Sequence, residues 1–231
     1  MAEPEWYRCE SWTFDAASTF EKKLLRARAS SRPQYLKIQG MTLALGASDP
    51  SDREVGRSLL RRVLAEYPDD LHAKHAAESL GSACALDDLL TGAESALRLT
   101  IEMCASSPIG YSGTTGVPEL LLAEVLIQQG DRTAEAIKLL DVVSDRVTET
   151  PIRSFKYRFM LAYARAADQT GDASAQDLAR QALEIAAMTG PVFARHPTFG
   201  VPEAAADELS DLRRIAGLEK SRGPIRRFRR N

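Results

Sequence analysis

Apolar residues recur along this chain of 231 residues at intervals of three and four, with charged residues between them. Such spacing places the apolar side chains on one face of a helix. No stretch alternates apolar and polar residues for long, which is the pattern of a half-buried strand. The sequence therefore predicts a protein that is helical almost throughout.

Glycine turns divide this helical pattern into units. Gly46, Gly130 and Gly171 each follow one amphipathic stretch and precede another; the first two are 84 residues apart and the last two are 41 apart. One further turn is expected between the first two, and Asp87 and Asp88 lie there. A repeat of about 42 residues with two helices in each unit is typical of helix-pair arrays.

The repeat sets the predicted boundaries of the helices. We predict four helix pairs, which cover 33–45 with 51–67, 70–85 with 88–105, 118–129 with 132–147, and 151–170 with 173–188. A first helix over 15–30, preceded by aromatic residues, and a last helix over 202–216 are predicted to cap the array. The sequence thus predicts one all-α domain over 1–217, followed by a basic, disordered tail over 218–231.

Composition narrows the class of protein. The longest apolar run, 120–127, is interrupted by Glu124 and is too short to cross a bilayer, and the first ten residues lack the apolar core of a signal peptide. Cys9, Cys84 and Cys104 match no zinc or C-x-x-C spacing, so we interpret them as reduced thiols. These features predict a soluble, cytoplasmic protein with no membrane partner.

The Gly-Asp turns, the alanines that follow them at Ala134 and Ala175, and the A-L-E-I-A sequence over 182–186 resemble tetratricopeptide-type (TPR) repeats. The units are longer than the usual length of about 34 residues, so the resemblance is to a degenerate, TPR-like array. More narrowly, the chain resembles a group of uncharacterised bacterial TPR-like proteins. The segments that carry this resemblance are W-Y-R at 6–8, R-A-R at 26–28, Q-Y-L-K-I-Q at 34–39 and F-A-R-H-P-T-F-G at 193–200. The resemblance implies a helical-repeat fold and no particular activity.

The sequence contains no set of residues typical of a catalytic centre. It has no G-x-S-x-G, no P-loop and no G-x-G-x-x-G. His72, His75 and Glu78 would share a helix face, but a metal site of this kind needs ligands from a second helix, and the facing helix offers no matching Glu-x-x-His. We interpret the three residues as a solvated polar face and predict no metal, no cofactor and no enzymatic activity. An enzyme would need side chains from several helices to converge at the 106–116 loop or near His196.

The leading interpretation is a protein–protein interaction module. In such arrays the first helices of each pair line a concave face that binds a peptide or protein partner. Helical position predicts groove residues at Tyr35, Gln39, Lys74, Glu78, Tyr157 and Arg158. Arg195 and His196 lie in a proline-rich segment, which we interpret either as a packed corner or as a presented loop that receives a carboxylate or phosphate. The Gly/Ser/Thr-rich stretch 106–116 predicts a long loop, with or without a function.

Two basic segments support an alternative, a nucleic-acid-associated protein. Six basic and no acidic residues lie between Lys22 and Lys37, and six basic residues with one acidic residue lie over 218–231, on a chain of net charge -2. Neutralising phosphates with such residues releases counterions and favours binding. The candidate polyanion-binding residues are Lys22, Lys23, Arg26, Arg226, Arg227, Arg229 and Arg230. A solvated tail is the other interpretation of the second segment.

Overall fold

The computed structural model describes residues 5–218 and is all-helical over that range, with ten α-helices, one 3-10 helix and no strand. The α-helices are α1 (Phe14–Arg26), α2 (Arg32–Gly46), α3 (Pro50–Glu66), α4 (Leu71–Leu86), α5 (Leu90–Ser106), α6 (Pro118–Gln129), α7 (Thr133–Glu149), α8 (Arg153–Thr170), α9 (Ala175–Ala186) and α10 (Ala206–Ile215). The predicted all-α class is therefore confirmed.

The helix boundaries agree with the sequence pattern to within a few residues, except at the two ends of the chain. α1 ends at Arg26 rather than at residue 30, and the Arg32 guanidinium donates hydrogen bonds to the carbonyl groups of Leu25 and Ala27 beside that end. α10 begins at Ala206 rather than at residue 202. Pro33 after α1, and Gly200 with Pro202 before α10, predict a break at each position but not its exact place.

The chain divides into two compact units, a first unit over 1–129 and a second unit over 130–231. The single domain over 1–217 remains a prediction. Among the helices of residues 5–218, none combines the length and the apolar character that a bilayer crossing requires.

Within the first unit the helices pack as neighbouring pairs. α2 packs against α3 and α4 packs against α5, while α4 also contacts α2, α3 and α6. The first helices of successive pairs, α2, α4 and α6, are thus neighbours. Because four helices cover α4, most of its residues are buried.

Glycine allows α2 and α3 to approach each other closely. A Cβ atom added to Gly56 would overlap the backbone N of Ala44 and lie 2.7 Å from the carbonyl O of Gly40. A Cβ atom added to Gly40 would lie 2.9 Å from Leu60 Cγ. The two glycines therefore set the distance between the helices of the first pair.

The aromatic residues before α1 pack on the first two helices of this unit. The ring centroid of Trp6 lies 4.9 Å from that of Tyr35 on α2 and 5.4 Å from that of Phe20 on α1. Gln39 is 0% exposed and binds the backbone of the same segment. Its Nε2 donates to the carbonyl O of Cys9 at 2.8 Å, and its Oε1 accepts from Cys9 N at 2.9 Å. This amide therefore attaches the N-terminal segment to α2.

In the second unit α8 is the central helix and contacts α7, α9 and α10. Its last residue, Thr170, is followed by Gly171, whose left-handed backbone, with φ of 71°, caps the helix and forms the turn that the Gly-Asp sequence predicts. Ion pairs join α8 to α10, Arg165 with Asp211 and Arg214 with Asp168, each at 2.8 Å. These pairs fix the last helix onto the second unit.

Candidate functional site

Most of the predicted groove positions are buried instead of lying on an open surface. Four of them are buried, namely Gln39, Lys74, Glu78 and Tyr157, and two are partly exposed, namely Tyr35 and Arg158. Consecutive residues of a helix point in directions about 100° apart. A small error in the assumed rotation of a helix about its axis therefore assigns buried residues to the surface. Each of the four buried side chains instead has a hydrogen-bond partner inside its own unit.

Tyr157 belongs to the core of the second unit. Its hydroxyl donates to the Glu208 carboxylate at 2.9 Å, which connects α8 to the start of α10. Burial, and then the hydrogen bond to Glu208, raises the pKa of Tyr157. The phenol therefore remains protonated and serves as a structural donor.

Two buried charged residues of α4 hold the loop that follows α5. Lys74 Nζ donates to the carbonyl O of Gly110 at 2.6 Å and to Ser107 Oγ at 3.2 Å. One turn further along α4, the Glu78 carboxylate accepts from Thr115 N at 2.9 Å and from Thr115 Oγ1 at 2.6 Å. Both halves of the loop are thus bonded to the same helix.

A third buried residue, Glu119, holds the same loop. We call this loop, residues 107–117, the anchored loop. Tyr111 donates a hydrogen bond to the Glu119 carboxylate in the first turn of α6. Lys74, Glu78 and Glu119 are 4%, 2% and 2% exposed, so the anchored loop closes over all three. Buried charges are costly unless they are hydrogen-bonded, and their arrangement here specifies one conformation of the loop.

These side chains converge where an enzyme would need them, but they form a closed cluster. α4 supplies Lys74 and Glu78, α5 supplies Cys104, and α6 supplies Glu119. Burial raises the pKa of Glu78 and of the Cys104 thiol, and a protonated, buried thiol is a poor nucleophile. The geometry favours fixing the loop over binding a substrate.

The anchored loop presents an apolar side chain beside the first turn of α4. Ile109 is 54% exposed and Leu71, the first residue of α4, is 58% exposed. Two observations place the anchored loop beside Leu71. The carbonyl O of Gly110 is bonded to Lys74, one turn after Leu71 on α4. A Cβ atom added to Gly113 would lie 3.6 Å from the carbonyl O of Leu71. A fixed apolar surface of this kind suits contact with a partner.

Basic residues meet where α4 faces α2. Lys37 on α2 places its Nζ 3.3 Å from His75 Nδ1 on α4, and His72 lies one turn before His75. We call Lys37, His72 and His75 the α2–α4 basic cluster; all three are partly exposed. Burial, with contributions from the charges of Lys37 and His72, lowers the pKa of His75 to about 4, and burial also lowers the pKa of Lys37. His75 is therefore neutral near pH 7.

The spacing of His72, His75 and Glu78 does not bring the three side chains together. His75 faces Lys37, whereas Glu78 is bonded to Thr115 beneath the anchored loop. The interpretation as one solvated polar face is therefore wrong for Glu78, which is buried. Among the residues that the structure describes, no three His, Cys, Asp or Glu side chains are placed to hold a metal ion.

We expect acid to destabilise the first unit through His75. Because folding lowers the pKa of His75 from its ordinary value of 6.5 to about 4, the unfolded chain binds a proton between these values and the folded chain does not. This contribution to stability is complete above the unfolded pKa and is lost as the pH falls towards 4, by about 1–2 kcal/mol between roughly pH 7 and pH 5. Urea unfolding followed by tryptophan fluorescence measures it, because both tryptophans lie in this unit.

Two variants separate this effect from other titrations. Glu78 acts in the opposite direction, because a raised carboxyl pKa lowers stability as the pH rises. The His75→Gln protein should therefore lose less stability in acid than the wild type, while His196→Gln, in the second unit, serves as the matched control. Equal acid sensitivity of the wild type and the His75→Gln protein would contradict the prediction.

A second fixed loop presents Arg195 and His196 in the second unit. Arg153, the first residue of α8, donates to the carbonyl O of Gly190 at 2.9 Å, and the next backbone N–H donates to the carbonyl O of Gly200 at 2.9 Å. Both ends of the segment are thus bonded to the start of one helix. Arg195 and His196 are exposed between these ends. Of the two interpretations of this segment, the presented loop fits the geometry better.

The predicted polyanion-binding residues of α1, Lys22, Lys23 and Arg26, are exposed, as is Arg28 after the helix. Within residues 5–218, no carboxylate forms an ion pair with any of the four. The arginines of α3 are different, because Arg53, Arg57, Arg61 and Arg62 all pair with carboxylates. The tail candidates, Arg226, Arg227, Arg229 and Arg230, lie outside the described residues.

Comparisons of the chain with protein-family models, with curated proteins and with solved structures found no match. Its function is therefore inferred from its own residues and their geometry.

Proposed function

We propose that this chain is a TPR-like, non-enzymatic protein that binds a protein or peptide partner on the face formed by α2, α4 and α6, the first helices of the pairs that lie in its first unit. The pairwise packing of α2 with α3 and of α4 with α5, together with the contacts of α4 with α2 and α6, supports the TPR-like arrangement.

The observation that carries the proposal is the anchored loop. Three buried side chains fix its conformation, while Ile109 and the adjacent Leu71 remain exposed. A surface held rigid in the free protein loses less conformational entropy on association than a flexible one. Ile109 and Leu71 are thus the proposed apolar contacts, and the exposed Arg195 and His196 are proposed contacts of the second unit.

We expect the double variant Leu71→Asp, Ile109→Asp to lose its partner. Placing carboxylates at an apolar contact leaves them desolvated, and hot-spot losses of this kind weaken binding by about tenfold or more. Affinity capture from lysate with quantitative mass spectrometry compares the wild type with the variant. The matched control is Val142→Asp, which changes a side chain that is 66% exposed in the second unit.

A specific protein retained by the wild type and the Val142→Asp protein, but not by the double variant, would support the proposal. Circular dichroism shows whether the variants are folded. The same retained proteins with all three baits, or no specific protein with the wild type, would contradict it.

A second candidate function is association with nucleic acid through α1. The observation that favours it is a contrast within residues 5–218: no carboxylate there pairs with Lys22, Lys23 or Arg26, whereas the arginines of α3 are ion-paired. Exposed cations without protein partners are free to neutralise phosphates.

For this candidate we expect salt-dependent binding that weakens in the triple variant Lys22→Gln, Lys23→Gln, Arg26→Gln. Each lost phosphate contact should reduce the slope of log K against log salt by about 0.7–0.9. Fluorescence anisotropy with labelled single-stranded and duplex oligonucleotides measures the slope. The matched control, Arg61→Gln, Arg62→Gln, Arg98→Gln, removes the same charge from ion-paired positions. Binding that is insensitive to salt, or equal slopes for the two triple variants, would exclude this function.

A further inference from the structure

Lys37 is a half-buried cation whose polar neighbour is another base. Its Nζ lies 3.3 Å from His75 Nδ1, and no carboxylate among residues 5–218 forms an ion pair with it. Two buried cations of the first unit do have oxygen atoms as partners. Lys74 donates to a carbonyl and a hydroxyl, and Arg57 pairs with the carboxylates of Glu54 and Asp87. Lys37 lacks such a group, which is unusual because desolvating a charge is costly.

The hydrogen bond between Lys37 and His75 fixes the proton positions in the cluster. An ammonium group only donates, so His75 Nδ1 must accept and the proton of the neutral imidazole must be on Nε2. Two N–H groups of Lys37 and the Nε2–H of His75 then remain as donors. The pair therefore offers donors and positive charge but no acceptor, which is the complement of an anion.

The buried charged residues around α4, and the carboxylate that caps the helix, already have partners. Asp70 caps the helix and accepts from His72 N at 2.8 Å. Lys74 and Glu78 are bonded to the anchored loop, Glu119 of α6 binds Tyr111, and Arg53 of α3 pairs with Asp87. An anion that reached Lys37 would thus complete the cluster without displacing an existing ion pair.

We propose that the α2–α4 basic cluster binds a carboxylate or phosphate group of the partner, held by Lys37 Nζ, with the imidazoles of His75 and His72 beside it. This inference deepens the proposed function, on which it rests, because it names the chemistry that the partner presents beside the apolar contacts Leu71 and Ile109.

The test uses inorganic phosphate as the probe and the histidine side chains as reporters. A bound anion favours the protonated imidazole, so it must raise the pKa of His75 from its low value. We expect phosphate, added at an ionic strength kept constant with sodium chloride, to raise this pKa by about one unit or more, equivalent to a tenfold change in proton affinity. Proton–carbon NMR spectra of the labelled full chain follow His75 and His72 separately across the pH range.

Two lysine variants locate the effect. In the Lys37→Gln protein the phosphate-dependent rise at His75 should disappear, whereas in the Lys22→Gln protein, which lacks an exposed lysine of α1, it should remain. If the Lys37→Gln protein does not fold, the His75→Gln protein provides the second readout, because phosphate should still perturb His72 and the Lys37 side-chain resonances. A titration with acetate separates a carboxylate ligand from a phosphate ligand.

The outcomes distinguish this inference from the proposed function. A phosphate- or acetate-dependent rise at His75 that is absent from the Lys37→Gln protein and retained in the Lys22→Gln protein supports the anion site. No rise with either anion, or an equal rise in Lys37→Gln, overturns it. Partner capture that depends on Leu71 and Ile109 would survive that result, and capture that fails while His75 responds to phosphate would reject the proposed apolar contacts instead.

Discussion

Replacing Gly56 with alanine is expected to destabilise the first unit by about 1–2 kcal/mol net. The new methyl group would overlap the backbone N of Ala44 and press against the carbonyl O of Gly40. Backbone atoms cannot move aside as a flexible side chain does, so α2 and α3 must separate, and overpacking of this kind costs about 1–3 kcal/mol or more. Helix propensity alone would favour alanine by about 1 kcal/mol, so the steric term has to exceed it.

Urea unfolding followed by the fluorescence of Trp6 and Trp12 measures this change in the first unit. The matched control is Gly92→Ala on α5, where a Cβ atom would lie 3.4 Å from Cys84 Sγ, at the edge of an ordinary contact. There propensity should dominate and the protein should gain up to about 1 kcal/mol. If the Gly56→Ala protein proved as stable as the wild type, the close packing of α2 on α3 would be incorrect.

Replacing Glu78 with alanine is expected to release the anchored loop and to cost about 2–3 kcal/mol. The change removes a carboxylate that accepts two hydrogen bonds from Thr115, leaving a backbone N–H and a hydroxyl without their acceptor. Unsatisfied buried donors cost about 1–3 kcal/mol, and the volume of the lost side chain adds to this. Urea unfolding measures the loss, and hydrogen exchange at the Thr115 amide measures the release of the loop.

Two substitutions control for the loss of charge. Glu78→Gln keeps a carbonyl oxygen in the same place and should retain most of the stability and the slow exchange of Thr115. Glu54→Ala removes a mostly exposed carboxylate that pairs with Arg57 and Arg61 and should cost less, about 1 kcal/mol, because exposed ion pairs contribute little. Slow exchange at Thr115 in the Glu78→Ala protein would show that the loop does not depend on this anchor.

The sequence predicts the helices well because their signals are local. The turns at Gly130 and Gly171, and the proline that begins α6, are read from neighbouring residues alone. The predicted boundaries are less accurate at the end of α1 and at the start of α10. At the end of α1, the carbonyl groups accept hydrogen bonds from Arg32, a residue outside the helix. The division into two units has no such local signal.

The candidate site was harder to predict because it depends on which helices are neighbours. Lys74 and Glu78 look like surface residues on an isolated helix, and only the covering of α4 by four helices shows that they are buried. The repeat length does indicate that two residues of the basic cluster are neighbours. Lys37 and His75 are 38 residues apart, within one helical turn of the repeat of about 42, so they occupy nearly equivalent positions on successive first helices.

The bond between Gln39 and Cys9 bears on how far this protein can be shortened. Deleting the segment before α1 would remove both hydrogen-bond partners of the buried Gln39 side-chain amide. It would also expose Phe20, which is buried in the intact protein. The truncated protein should therefore aggregate or be cleaved by proteases, although its sequence still contains α1 to α10. The segment over 5–13 therefore contributes to the packing of the first unit.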